Sequence, residues 1–123
     1  MSESMDQRMA GLSKRMKDLI EWGDESLVAE LVEIFLKDTP PRMTAIVESL
    51  RTDDVKMLVH ASHALKGSSA NMGANALATV CGELERLGRA NSLEAARILL
   101  PHVEKEFQET LEAVEMLRPV GSH

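Results

Sequence analysis

Residues 52–73 read TDDVKMLVHASHALKGSSANMG, and the apolar positions in this stretch recur at helical spacing. At about 100° per residue, Val55, Leu58, Ala61, Ser62, Leu65, Ser69 and Met72 fall within about 60° of one line, which predicts a core-facing stripe. Lys56, His63, Gly67 and Ala70 gather roughly 120 to 180° from that line, so the same helix turns a histidine towards solvent at mid-length. Thr52-Asp53-Asp54 offers a capping hydroxyl and two acids where the helix dipole favours negative charge, and Gly73 stops the helix.

The same period runs outward in both directions. Met5, Met9, Leu12, Met16 and Leu19 predict a first helix to about Trp22, stopped at Gly23, with Asp24 capping the next. That second helix carries Leu27, Val28, Leu31, Val32 and Phe35 and is expected to end before Pro40, because a residue preceding proline is pushed out of helical geometry. Thr39 then reads as the N-cap of a third helix, with Pro40 in its first turn and Met43, Ile46, Val47 and Leu50 on its apolar side. Beyond Gly73, Leu77, Val80, Cys81, Leu84 and Leu87 mark a helix ending near Gly88 and Asn91. Asn91-Ser92-Leu93-Glu94 resembles a capping box for the last helix, which carries Leu99, Val103, Phe107, Leu111 and Val114. Pro101 lies inside it and predicts a kink or a break. Short connections make successive helices antiparallel neighbours, so the expected fold is an all-α, antiparallel up-and-down four-helix bundle with an additional N-terminal helical segment.

Composition agrees with this reading and excludes others. The chain has 123 residues, 44% hydrophobic and 28% charged, which suits one folded domain. Residues 1–120 are read as that domain, 1–22 as the N-terminal helix and 24–118 as the bundle; Gly121-Ser122-His123 reads as the remnant of an expression tag. Aromatic residues make up 2% and Tyr is absent, a balance that favours helices over strands. A net charge of −6 argues against a nucleic-acid binder, which needs a basic excess to neutralise phosphates. The single cysteine cannot form an internal disulfide, and no membrane-span-length apolar run or signal-peptide core is present, so a cytoplasmic site is expected.

The chemistry gathers at His63. Gly67, one turn on along the same face, costs a helix interior about 1 kcal/mol relative to alanine, and clearance for an approaching backbone would offset that cost. Ala70 keeps the next turn low. Lys66, three residues after His63, can swing its ammonium towards whatever the imidazole carries, and a compact cation suits a phosphoryl oxygen. No Ser-His-Asp set, nucleotide loop or paired carboxylates can be found, so a turnover enzyme is not expected.

His63-Ala64-Leu65-Lys66-Gly67-Ser68-Ser69, followed by Gly73, resembles the His-x-Leu-Lys-Gly-Ser signature of histidine-containing phosphotransfer (HPt) domains. Phe35-Leu36 before it, and Leu77, Cys81 and Leu84-Glu85 after it, are similar to the family's framing helices. The resemblance covers roughly residues 20 to 118 and shows no departure within the motif. It implies a bundle of four antiparallel helices with an extra N-terminal segment, and a phosphoryl group carried on His63.

The expected mechanism is attack by neutral His63 on the acyl phosphate of a receiver-domain aspartate, giving a phosphoramidate that a second receiver later accepts. An imidazole with an ordinary pKa of about 6.5 is largely unprotonated near pH 7, so no general base is required. The chain needs no cofactor of its own, and the resemblance implies that the receiver supplies a divalent metal such as Mg. Expected partners are response-regulator receiver domains and a hybrid sensor histidine kinase, with no nucleic acid and no membrane, and the chain is read as a monomer. Lys66 is assigned to phosphoryl charge stabilisation, Gly67 to clearance and Ser68 to a phosphoryl hydrogen bond or close helix packing. The docking surface is read as Lys56, Val59, His60, Ala64 and Ala70, with Arg86 or Arg89 at its rim. Two rival readings stay open. One is a scaffold that binds a kinase or receiver without being phosphorylated, against which His63 and Lys66 together speak. The other is a metal site on His60 and His63, one turn apart, although no carboxylate or cysteine adjoins them on that face.

Overall fold

Five helices occupy the described residues, 5–22 and 25–118, of the computed structural model: α1 (Met5–Trp22), α2 (Glu25–Arg51), α3 (Val55–Asn71), α4 (Asn75–Arg89) and α5 (Leu93–Met116). The stop expected at Gly23, the cap at Asp24 and the tag reading of 121–123 lie outside the described residues. α2 packs on α3 and α5, and α4 packs on the same two helices, which closes a ring of four. Neighbours in the ring run antiparallel. Leu58 and Val59 lie beside Gly88, His63 beside Glu85 and Lys66 beside Gly82, so numbers rise along α3 as they fall along α4. Arg97, near the start of α5, donates to the carbonyl of Leu50 near the end of α2, at 2.8 Å. The expected bundle with its N-terminal helical segment is therefore present, with α1 laid against α2, α4 and α5.

One turn design closes the ring three times. Thr52–Asp54, Met72–Ala74 and Ala90–Ser92 are the connections, and the middle residue of each has positive φ: Asp53 at 56°, Gly73 at 78° and Asn91 at 56°. In each, the third residue's N–H donates to the carbonyl five residues back, Asp54 to Ser49, Ala74 to Ser69 and Ser92 to Leu87, at 2.8–2.9 Å. This is the left-handed helix ending that satisfies carbonyls left without an amide partner. It corrects two expected caps. Thr52 does not open α3; its hydroxyl donates to Glu48 O at 2.9 Å and closes α2, while Asp54 is the N-cap, accepting from the Met57 amide at 3.0 Å. Asn91 ends α4 rather than heading a capping box, and Ser92, the N-cap of α5, makes no side-chain cap bond.

The expected division of residues 25–51 into two helices is also corrected, because α2 runs through Pro40 and Pro41. Val28, Val32, Phe35, Thr39, Met43, Ile46 and Leu50 are all buried and keep one helical register across the prolines. Proline removes an intrahelical bond and costs a helix about 3 kcal/mol, a sum that burial of two or three large side chains outweighs. Thr39 is not an N-cap either; it is fully buried and its hydroxyl donates to Phe35 O at 2.6 Å. Pro101 likewise fails to break α5, which is continuous from Leu93 to Met116.

The core stripe of α3 falls where its spacing puts it. Leu58, Ala61, Ser62, Leu65, Ser69 and Met72 are buried, and Val55 is half-buried at the helix start. Ser69 returns its hydroxyl to Leu65 O at 2.7 Å, but the buried Ser62 hydroxyl has no hydrogen-bond partner among the described residues. An unpaired buried hydroxyl costs about 1–3 kcal/mol, and alanine is the better helix former. Ser62→Ala is therefore expected to raise stability by about 1 kcal/mol in urea unfolding. A loss of stability would mean that the hydroxyl is paired after all.

Two devices fix α1 to the ring. At the first, Gly11 meets the α3–α4 turn so closely that a Cβ on Gly11 would stand 2.7 Å from Gly73 O, and Arg15 Nε donates to Asn71 O, at the end of α3, at 2.6 Å. At the second, the buried Arg8 guanidinium pairs with buried Glu106 of α5 at 2.8 Å and with Glu109 at 2.9 Å. Among the described residues no helix is long and apolar enough to cross a membrane.

Candidate functional site

The α3–α4 seam is narrow because α4 carries glycine three residues either side of Glu85. A Cβ on Gly88 would stand 3.0 Å from Val59 Cγ2, and one on Gly82 would stand 3.3 Å from Lys66 Cδ. The helices can therefore close until the Glu85 carboxylate, itself nearly buried, meets three cationic or polar groups at the seam's mouth. His63 Nδ1 lies 3.2 Å from both carboxylate oxygens. Lys66 Nζ lies 2.7 Å from Oε1, and Arg89 places Nη2 at 2.8 Å and Nε at 3.1 Å from Oε2. The Lys66 ammonium beside Glu85, then the Arg89 guanidinium, holds its carboxyl down to about 2 against the opposing effect of burial, with His63 adding to the lowering.

An ionised carboxylate only accepts hydrogen bonds, so the Nδ1 that faces Glu85 is the donor. In neutral His63 the lone pair then lies on Nε2. The ring is 64% exposed, whereas the Glu85 side chain is 8% exposed. One nitrogen is thus tied into the protein, and the ring as a whole stays open to a visitor.

The structure brings together some, but not all, of the residues named around the histidine. Lys56, Val59, His60 and His63 line one shallow depression together with Val55 and Arg89. Ala64 is half-buried beside the histidine, and exposed Ala70 lies further along the helix; neither lines the depression. Arg86 is turned to Glu83, with Nη2 2.5 Å from Oε1. Gly67 is exposed, and a Cβ placed there would meet nothing within 4 Å, so the packing of this chain does not call for the glycine. Ser68 is not brought to the histidine. Five residues on, it is turned about 140° round the helix, and it lines a crevice between α2 and α3 of about 90 Å³ with Phe35, Thr39 and Met72.

Lys66 is where expected but already engaged with Glu85, a residue that the sequence reading assigned no role. The signal was present. Glu85 falls at i+4 from Cys81 and i−3 from Gly88, inside the buried line of α4, where a carboxylate needs a partner. Cys81 behaves as the small buried hydrophobe that its position predicts, and burial pushes its thiol up to about 12, which removes it as a nucleophile near neutral pH.

Comparisons with known proteins point one way. Residues 30–116 match the family model of the Hpt domain. The chain resembles the crystal structure of histidine-containing phosphotransfer protein B from Pseudomonas aeruginosa at 31% identity and a TM-score of 0.72, over 92% of this chain and 91% of that one. It is 29% identical over 87 residues to the phosphorelay intermediate protein rdeA of Dictyostelium discoideum, covering 71% of this chain and 34% of that protein. The chain therefore spans about a third of the length of that curated relative.

Proposed function

Because this chain belongs to the Hpt domain family, we propose that it is a phosphoryl carrier in a multistep phosphorelay, accepting the group on Nε2 of His63 and handing it on. The observation that carries the reading is the pairing of Nδ1 with the ionised Glu85, which leaves the second ring nitrogen as the nucleophile on an exposed helix face. In the accepting step the Nε2 lone pair attacks the phosphorus of a receiver's aspartyl phosphate. A P–N bond forms, the P–O bond to the aspartate breaks, and the carboxylate leaves. The ring keeps its Nδ1 proton and gains positive charge, which the Glu85 carboxylate faces at 3.2 Å. Gly67 keeps the adjoining turn clear for the receiver's backbone, and Lys56, Val59, His60 and Arg89 form the rim that it meets.

The chain is read as a carrier with no turnover of its own. Receiver domains and a sensor kinase are its proposed partners, a divalent cation such as Mg belongs to the receiver, and a monomer in the cytoplasm is the proposed setting. The test is to phosphorylate the chain from a phosphorylated receiver and read the product by phosphorus NMR with coupling to the ring protons. Phosphate on Nε2 of His63 is expected. Phosphate on Nδ1, or on any other residue, overturns the reading.

A further inference from the structure

Accepting a phosphoryl group is half of a carrier's work, and the geometry bears separately on its release. When the Nε2–P bond breaks, its electron pair stays on Nε2 and the phosphorus passes to an oxygen nucleophile, either an aspartate carboxylate or water. If Nδ1 carries a proton at that moment, the ring departs as neutral imidazole. If it does not, the ring must depart as an imidazolide anion, a far poorer leaving group. The group that holds the Nδ1 proton therefore governs how readily the phosphoryl group moves on.

We infer that Glu85 is a positioning residue for release, acting through the ring of His63: its carboxylate, 3.2 Å from Nδ1 through both oxygens, keeps the phosphorylated ring protonated and so keeps the phosphoryl group transferable at neutral pH. This inference rests on the carrier reading and extends it to the second step. A fixed negative charge beside a titrating nitrogen favours the protonated form. Glu85 is built to hold that charge. It is nearly buried between Gly82 and Gly88, and its cationic partners keep it ionised well below neutral pH.

The other charged groups facing the ring act against it. Lys66, on the same helix as His63, and Arg89, on the helix of Glu85, partly offset the carboxylate, while Lys56 and His60 share the depression in which the ring stands. Glu85 is the one carboxylate that contacts His63 among the described residues. Lys66 and Arg89 also give the expected direction of change when the balance is altered. Loss of the Glu85 charge discourages the ring proton, and loss of a cation encourages it.

The experiment needs no partner protein. Phosphoramidate phosphorylates the imidazole directly, with ammonia as the leaving group, and loss of phosphate from the His63 peptide is followed by mass spectrometry between pH 5 and 10. The wild-type chain, Glu85→Gln and Lys66→Met are compared. Gln keeps an oxygen that can accept from Nδ1 but carries no charge. Its hydrolysis profile is expected to move to lower pH by about one unit, which is about tenfold slower release on the alkaline limb. Lys66→Met is expected to move the profile the other way, which keeps the inference open to test if Glu85→Gln does not fold. Profiles that superimpose, or a Glu85→Gln profile displaced to higher pH, overturn it. Because the phosphodonor is chemical, failure of any receiver to label His63 would sink the carrier reading and leave this measurement intact.

Discussion

His63→Gln is expected to reduce labelling from a phosphorylated receiver to background, whereas His60→Gln, three residues away on the same helix, keeps it. An amide nitrogen has no lone pair free to attack phosphorus, so the substitution removes the nucleophile rather than weakening it. Gln still offers an N–H donor to Glu85, and the position is exposed, so stability should change by no more than about 0.5 kcal/mol. That similarity makes the result interpretable: a folded variant with the same surface either takes the phosphoryl group or does not. His60 is also exposed and lines the same depression, but it is absent from the set of groups around Glu85. Its replacement is expected to alter the rate through docking, by less than about tenfold, the size of effect typical of a single interface side chain. Labelling of His63→Gln at the wild-type level would sink the proposal, and with it the role of the exposed face of α3.

The second large effect is structural. Arg8→Ala is expected to cost about 3 kcal/mol, because it strands Glu106, 1% exposed, with no cation beside it. For a domain of this size the melting temperature should fall by about 10 °C. The pair is already imperfect, since Arg8 Nε and Glu106 Oε1 lack partners among the described residues. Replacing both residues with apolar ones of similar volume, Arg8→Met with Glu106→Leu, should therefore recover most of the loss, as buried ion pairs often allow. A single substitution costing under about 1 kcal/mol would show that α1 is held mainly by its apolar face, Leu12 and Met16.

The α3 wheel was legible because it depends on helical period alone. His63, Lys56, Gly67 and Ala70 are exposed, and the stripe from Leu58 to Met72 is buried. The same period puts Glu85 in the buried line of α4, but it does not say which group faces the carboxylate, since that partner lies on another helix and the pairing depends on the hairpin register across Gly73. Ten residues back from Gly73 and twelve forward give His63 and Glu85, and glycines at 82 and 88 bring the two backbones together. Thr39 and Pro40 misled the reading because a local rule about proline competes with a buried register running from Val28 to Leu50, and burial prevailed. Thr52 misled it because a hydroxyl near a helix boundary can serve the helix behind as well as the helix ahead. Ser68 belongs to the recognised motif, but its helical phase turns it to the α2 crevice.

The histidine and the carboxylate that faces it are 22 residues apart in the chain, joined by one three-residue turn. Contacts this local need little loop closure, so the pairing of His63 with Glu85 is expected to depend on its own hairpin more than on contacts that join distant parts of the chain. Partial opening at the periphery, such as fraying of α1 in the Arg8 variant, should then spare phosphoryl acceptance even as melting shifts. A protein organised in this way separates its endurance from its chemistry, and the two can drift independently under mutation.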